Sequence, residues 1–169
     1  MIAFYIFIAG AFAYSQVNAK SLCAGANSSQ LIANLSYRII YLCEKNGNEY
    51  WRYFFSYGRG GARKYSEGDE KTPVGTYALG APQKSADFYQ FIPIGYPTKE
   101  QRKMGYTGGA IGIHGPYNTG IYQLIEWFMG SSLILNWTSG CLAVSSQYEI
   151  EKIVYFVKSR KVKTIHIFE

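Results

Sequence analysis

Apolar and polar residues alternate in short runs along most of this chain, and Gly, Pro and polar clusters separate the runs. A period of two sends alternate side chains to one face, so each run reads as a strand with one buried side. Tyr37 to Cys43 is the first such strand and Glu49 to Tyr57 the second, with Trp51, Tyr53, Phe55 and Tyr57 on one face. Asn46-Gly47 between them signals a hairpin, because a tight reversal needs residues that tolerate positive φ. Further strands are expected at Gly75 to Leu79, Phe88 to Ile94, Ala110 to His114, Cys141 to Val144 and Val162 to Phe168. Helical spacing replaces the alternation twice. Ser146-Gln147-Tyr148-Glu149 has the form of a capping box, and Ile150, Ile153, Val154 and Val157 follow on one face. Between Thr119 and Met129, Ile121, Leu124, Ile125 and Phe128 form a second apolar face that Gly130 ends. The pattern as a whole predicts a mainly β domain with flanking helices.

The longest apolar run, Ile2 to Ala13, does not alternate and is short for a bilayer span. With Val17-Asn18-Ala19 behind it, it reads as a signal peptide cut after Ala19, although no basic residue precedes it; an uncleaved anchor or a buried first strand is the alternative. Lys20-Ser21-Leu22 ahead of Cys23 lacks the small residue of a lipidation site. Residues 20–36 then form an N-terminal segment and residues 37–169 one domain, with no linker or repeat. The net charge of +6 is spread over the chain, which fits attraction to anionic surfaces such as a cell wall rather than a nucleic-acid stripe. The basic cluster from Arg59 to Lys64 reads as a solvated loop.

Three cysteines in an exported chain leave one unpaired. Cys23 and Cys43 are the natural disulfide partners, which frees Cys141; the competing reading makes all three small buried apolar residues. Cys141 lies in Trp137-Thr138-Ser139-Gly140-Cys141-Leu142-Ala143-Val144, downstream of Ile111-Gly112-Ile113-His114-Gly115-Pro116. A thiol becomes a strong nucleophile only when its proton is removed, and a nearby imidazole can remove it. Only His114 and His166 are present, and His166 sits in an alternating final strand as an ordinary sheet residue. Cysteine acyl transfer is therefore the leading chemistry. Neither Gly-x-Ser-x-Gly nor Ser-x-x-Lys occurs, no CxxC or His-Cys metal spacing occurs, and no phosphate loop or paired carboxylates accompany these motifs, so no cofactor is implied.

Glu70-Lys71-Thr72-Pro73-Val74-Gly75-Thr76-Tyr77, then Ala110 to Gly115, then Thr138 to Val144 resemble, in order, the three signature segments of the L,D-transpeptidase catalytic domain, also called YkuD. The likeness covers roughly Tyr37 to the C-terminus. It implies a curved β-sandwich or barrel with an inserted helix, a C-terminal helix and a last strand, and with the Cys in a cleft. It also implies a peptidoglycan stem peptide as substrate and a thioester intermediate. By that resemblance Cys141 is the nucleophile and His114 the acid/base. Ser139-Gly140-Cys141 supplies backbone amides to the oxyanion, and Gly140 permits close approach or a positive φ. Gly115 offers a carbonyl to orient the imidazole. Thr138 and Ser139 contact the peptide through their hydroxyls, while Arg63, Lys64 and Lys71 are candidates for a substrate carboxylate. Tyr122 and Trp127 on the inserted helix line the cleft if that helix is a lid.

The chain departs from the commonest family pattern at Ser139, where many members carry His, and at Ala143, where many carry Arg or Asn. The segment between His114 and Cys141 is also longer, because it holds the Thr119 to Met129 helix. The expected activity is a secreted, periplasmic L,D-transpeptidase that needs no nucleic acid and no membrane after signal cleavage. An L,D-carboxypeptidase or endopeptidase with water as acceptor uses the same site. A non-catalytic wall-binding β domain is the reading from another class.

Overall fold

The computed structural model describes residues 22–118 and 135–169. The signal-peptide reading and the Thr119 to Met129 helix, with Tyr122 and Trp127, lie outside the described residues. Among the described residues nine strands, β1 (Gln30–Asn34), β2 (Ile39–Cys43), β3 (Glu49–Ser56), β4 (Gly75–Ala78), β5 (Gln83–Ser85), β6 (Tyr89–Pro93), β7 (Gly112–His114), β8 (Leu142–Val144) and β9 (Thr164–Phe168), form one sheet in the order β4-β9-β1-β2-β3-β8-β7-β6-β5. The sheet curls until its ends meet: Leu79 bridges Ile94, and the amide of Gly95 donates to the Ala78 carbonyl at 2.9 Å. Among the described residues the helices α1 (Lys99–Lys103) and α2 (Gln147–Ser159) accompany it. No helix of the described residues is long and apolar enough to cross a membrane.

The alternating runs become strands because their apolar sets share one core. Leu31, Ala33, Ile40, Leu42, Phe55, Ile92, Ile113, Leu142, Val144, Ile165 and Ile167 all point into it. Ser146 caps α2 by accepting from the Glu149 amide, and Ile150, Ile153, Val154, Phe156 and Val157 are buried on the sheet. Glu149 does not close the expected reciprocal bond; its carboxylate accepts from the amide and hydroxyl of Ser145 instead.

Two strands depart from the sequence reading. β1 falls in the segment ahead of Tyr37, yet it sits mid-sheet, antiparallel to β2 and parallel to β9. Its run Leu31-Ile32-Ala33-Asn34-Leu35 is buried throughout and does not alternate, because the two faces of β1 are both covered. Leu31 and Ala33 enter the main core, while Ile32 joins Cys23, Tyr41 and Cys43 in a second cluster on the opposite face. A disulfide joins Cys23 to Cys43 there and ties the N-terminal segment to that face. β5 carries no large apolar residue that would mark it. Helix α1 was also hidden, since its Lys-Glu-Gln-Arg-Lys sequence has no apolar face; it is held by a Thr98–Gln101 capping box. At the β2–β3 hairpin, Asn46-Gly47 makes the turn, with Gly47 at φ 79°.

Candidate active site

The parallel pairing of β7 with β8 creates the site. His114 stands opposite Ala143 in the register, and Ile113 opposite Leu142. Ile113 and Leu142 point into the core, so the neighbouring positions His114, Gly112, Ala143 and Cys141 share the opposite face. His114 and Cys141 occupy one diagonal of that square. Diagonal neighbours on a sheet lie roughly 7–8 Å apart at the backbone and closer at the side chains. The other diagonal is Gly112 and Ala143, so nothing larger than a methyl group stands on the square between them. Gly112 must be glycine, because a Cβ there would lie 2.3 Å from the Phe91 ring.

His114 is 2% exposed. Its Nδ1–H donates to the Gly115 carbonyl at 2.6 Å, the pairing that leaves Nε2 as the basic nitrogen. Phe88 stacks on the imidazole with ring centroids 4.0 Å apart, and Trp137 meets it edge-on at 5.8 Å. Tyr117 packs against both Phe88 and Trp137. This enclosure lowers the imidazole pKa to about 4 through burial, against the smaller opposing effect of the Gly115 carbonyl. The value is well below the ordinary imidazole value of about 6.5.

Cys141 is a free, partly exposed thiol. Its Sγ lies 3.5 Å from the Ala110 carbonyl and donates there rather than to His114. Burial raises the thiol pKa, while the Gly112 amide and the charge of Lys64 pull it down. At neutral pH the resting pair is thus a neutral thiol beside a neutral imidazole, not an ion pair.

The turn before Cys141 is fixed from within and from below. Thr138 Oγ1 donates to the Cys141 carbonyl at 2.7 Å and accepts from the Gly140 amide at 3.1 Å. The Thr138 hydroxyl is therefore engaged in the turn and Thr138 is buried, so it fixes the turn before Cys141 where the sequence assigned it a peptide contact. The Gly140 amide is taken for the same reason. Gly140 itself has φ 125°, and a Cβ on it would lie 2.5 Å from the Lys71 carbonyl: the close approach is to the protein's own backbone. Thr72, fully buried, donates its hydroxyl to the Gly140 carbonyl at 2.9 Å and accepts from the Gly58 amide at 2.9 Å. Ser139 stands exposed at the corner.

The other candidates divide. Lys71 lies beside Gly140, and its ammonium makes no ion pair among the described residues. Arg63 is drawn elsewhere: its guanidinium pairs with Glu169 at the chain end. Lys64 is not solvated but 5% exposed, with Nζ 2.7 Å from Asp69 Oδ1 and 3.0 Å from the Ser66 carbonyl. Arg59 pairs with Glu70. Gly115 is buried under Phe88 and Ile150, with its carbonyl turned to His114. His166 is satisfied within the sheet by Thr76 and Gln30. Thr72, Phe88 and Trp137 also belong to the site, although sequence gives none of them a role: Thr72 and Trp137 lie in or beside the signature segments, and Phe88 only begins a strand pattern. The Trp137 indole N–H is buried with no acceptor among the described residues. Among those residues, too, no three His, Cys, Asp or Glu side chains come together as metal ligands would.

A family model, the L,D-transpeptidase catalytic domain (YkuD), matches residues 28–167. Among solved structures, the helical cell shape determining protein Pgp2 from Campylobacter jejuni superimposes with a TM-score of 0.64 at 28% identity, over 89% of this chain and 54% of that one. Bd1075 from Bdellovibrio bacteriovorus gives 0.57 at 20% identity, over 83% and 47%. An L,D-transpeptidase from Enterococcus faecium gives 0.53 at 12% identity, over 83% and 50%, a likeness of fold. The chain therefore spans about half the length of these structures. No curated protein matches it significantly.

Proposed function

Since the chain belongs to the L,D-transpeptidase catalytic domain (YkuD) family, we propose that it is an exported, periplasmic cysteine acyltransferase acting on peptidoglycan stem peptides. The observation that carries this reading is the shared sheet face of His114 and Cys141, with Nε2 left basic by the Gly115 carbonyl. The likeness to a helical cell shape determining protein supports a wall substrate.

In the proposed reaction Cys141 Sγ bonds to the carbonyl carbon of the diamino acid's L-centre while its proton passes to His114 Nε2. The C–N bond to the following D-residue then breaks, and His114 returns the proton to the leaving amine. A thioester remains. An acceptor amine attacks it and gives up its proton through His114, and the thiol is restored. The resting thiol must first rotate from the Ala110 carbonyl toward His114, and substrate binding supplies that contact. Neutral partners suit this sequence, because a general base must begin unprotonated. For the oxyanion we assign the amides of Ser139 and Cys141, Gly140's being held by Thr138. Lys71 is assigned to a stem-peptide carboxylate. The rings of Phe88, Phe91 and Trp137 around His114 limit water at the base, which favours an amine over water as acceptor.

Purified protein incubated with tetrapeptide muropeptides and analysed by mass spectrometry tests the reading. Acid quenching should trap an acyl adduct on Cys141, and cross-linked dimers should accumulate; Cys141→Ala should lose both. Loss of the terminal D-residue without dimers would place water in the acceptor's role. No adduct and no turnover would leave a wall-binding domain.

A further inference from the structure

Phe88 is the ring that stacks on His114, yet it belongs to no strand. It ends the tip, Ala86 to Phe88, that joins β5 to β6, with Ser85 opposite Tyr89 at the base. Phe91, by contrast, is held by its pairing with His114 across β6 and β7. What places Phe88 is the tip itself, and the tip is tied from two sides. Ser85 Oγ accepts from the amides of Asp87 and Phe88 at 3.3 and 3.2 Å. From the segment that follows His114, the Asn118 amide donates to the Asp87 carbonyl at 2.6 Å, and Asn118 Nδ2 donates to the Ala86 carbonyl at 3.2 Å. Just past the tip Tyr89 has φ 63°, and the Gln90 amide donates to the Phe88 carbonyl at 2.7 Å. This is a γ-turn with positive φ at its centre, a rare and strained form that an aromatic residue keeps only where its surroundings enforce it. The same tip bears on the imidazole's own partner, since a Cβ on Gly115 would lie 3.0 Å from the Phe88 carbonyl. Phe88 thus lays its ring on His114, with 4.0 Å between centroids, and packs its carbonyl against the residue that holds Nδ1.

We propose that Asn118 is a positioning residue for His114: it clasps the β5–β6 tip, keeps Tyr89 in its strained turn and so holds the Phe88 ring on the imidazole. The inference rests on the assignment of His114 as the base. The bond to Gly115 fixes one ring nitrogen but leaves the imidazole free to tilt about it, and a stacked ring removes that freedom. The strain is what makes the clasp necessary. A tyrosine released from it returns to negative φ and carries Phe88 away from His114.

The test is proton NMR of the two histidines, which needs no substrate. His166, bonded to Thr76 and Gln30, is the internal reference. In the wild type the stacked Phe88 ring shields the carbon-bound protons of His114. Asn118→Ala should move those signals toward ordinary imidazole positions and, by admitting water, raise the His114 titration midpoint by about one pH unit, with His166 unchanged. Burial is the cause of the present low value; the titratable groups around the ring, Cys141 ahead of β8, Tyr117 packed on Phe88, and Asp87 and Tyr89 at the tip, contribute no part of it. A bond that served stability alone would change only the melting temperature. Glycine takes the positive φ of position 89 without strain, so the double variant Asn118→Ala with Tyr89→Gly should return both the signals and the midpoint toward wild type. Should Asn118→Ala fold poorly, Asn118→Asp, which keeps the shape but offers the Ala86 carbonyl no donor, should show the same displacement. Wild-type His114 signals and midpoint in a folded Asn118 variant would overturn the proposal, and so would a double variant that stays where Asn118→Ala lies. Turnover of muropeptides, measured separately, reports on the function assignment and leaves these outcomes untouched.

Discussion

His114 is where the chemistry and the stability of this protein meet. With its pKa lowered to about 4 by burial, the imidazole stays unprotonated, and so able to accept a proton in the proposed reaction, across the neutral range. The acid limb of a kcat/KM profile should accordingly fall near pH 4 rather than near 6.5, and Phe88→Ala, which opens one side of the ring's enclosure, should move that limb upward. The same shift has a folding consequence. The unfolded chain protonates this group near pH 6.5 and the folded one only near 4, so between those values the unfolded form binds more protons and stability falls as the pH falls. The size is about 3 kcal/mol across the window. Urea titrations at pH 7 and pH 4 should show that difference, and His114→Gln should flatten it. Gly140 is the second decisive residue. Gly140→Ala sets a methyl group against the Lys71 carbonyl at a φ that disfavours side chains, and should cost about 1–3 kcal/mol together with most of the turnover.

At the level of elements, the site is built by three segments that touch only because the sheet curls. β7 supplies the imidazole, the residue just ahead of β8 supplies the thiol, and the loop from Gly58 to Thr72 supports the turn between Thr138 and Cys141. Thr72 is the joint, since one hydroxyl serves both Gly140 and Gly58. Thr72→Val keeps the shape but leaves a buried carbonyl and a buried amide unpaired, at a cost of about 1–3 kcal/mol. It should also broaden the reactivity of Cys141 toward alkylating reagents, which a time course on the folded variant would reveal. This joint was hard to read in advance. The Thr-Pro-Val-Gly segment marked the region, but a threonine in a turn carries no sign that its hydroxyl reaches a glycine far along the chain. Phe88 posed the same difficulty, because its stacking on His114 depends on how the β5–β6 connection folds back.

For the whole molecule, the disulfide and β1 fasten the N-terminal segment to the outer face of the sheet. Cys23 and Cys43 enclose a 20-residue separation, for which chain-entropy arguments give about 3 kcal/mol. Dithiothreitol should therefore lower the melting temperature, while brief reduction at low temperature should leave Cys141 as reactive as before, since the disulfide cluster and the thiol lie on different strands of the sheet. The sheet also explains why β1 was assigned to a segment outside the domain. Strands covered on both sides lose the alternation by which they are recognised, and the covering layer here is the chain's own N-terminal part.

Sequence alone was sufficient for the mainly β architecture, the capped helix after Ser146, the hairpin at Asn46-Gly47 and the membership of three ordered segments in one family, because these depend on local periodicity, turn chemistry and short-range spacing. The tertiary structure decided where the basic residues go. It buried Lys64 against Asp69, turned Arg63 to Glu169 and set the Lys71 carbonyl against Gly140 in the turn before Cys141. It also decided the protonation state of the pair, since a pKa is set by whatever surrounds a group in space. The aromatic enclosure of His114 comes from residues before and after it along the chain, brought together only when the sheet closes.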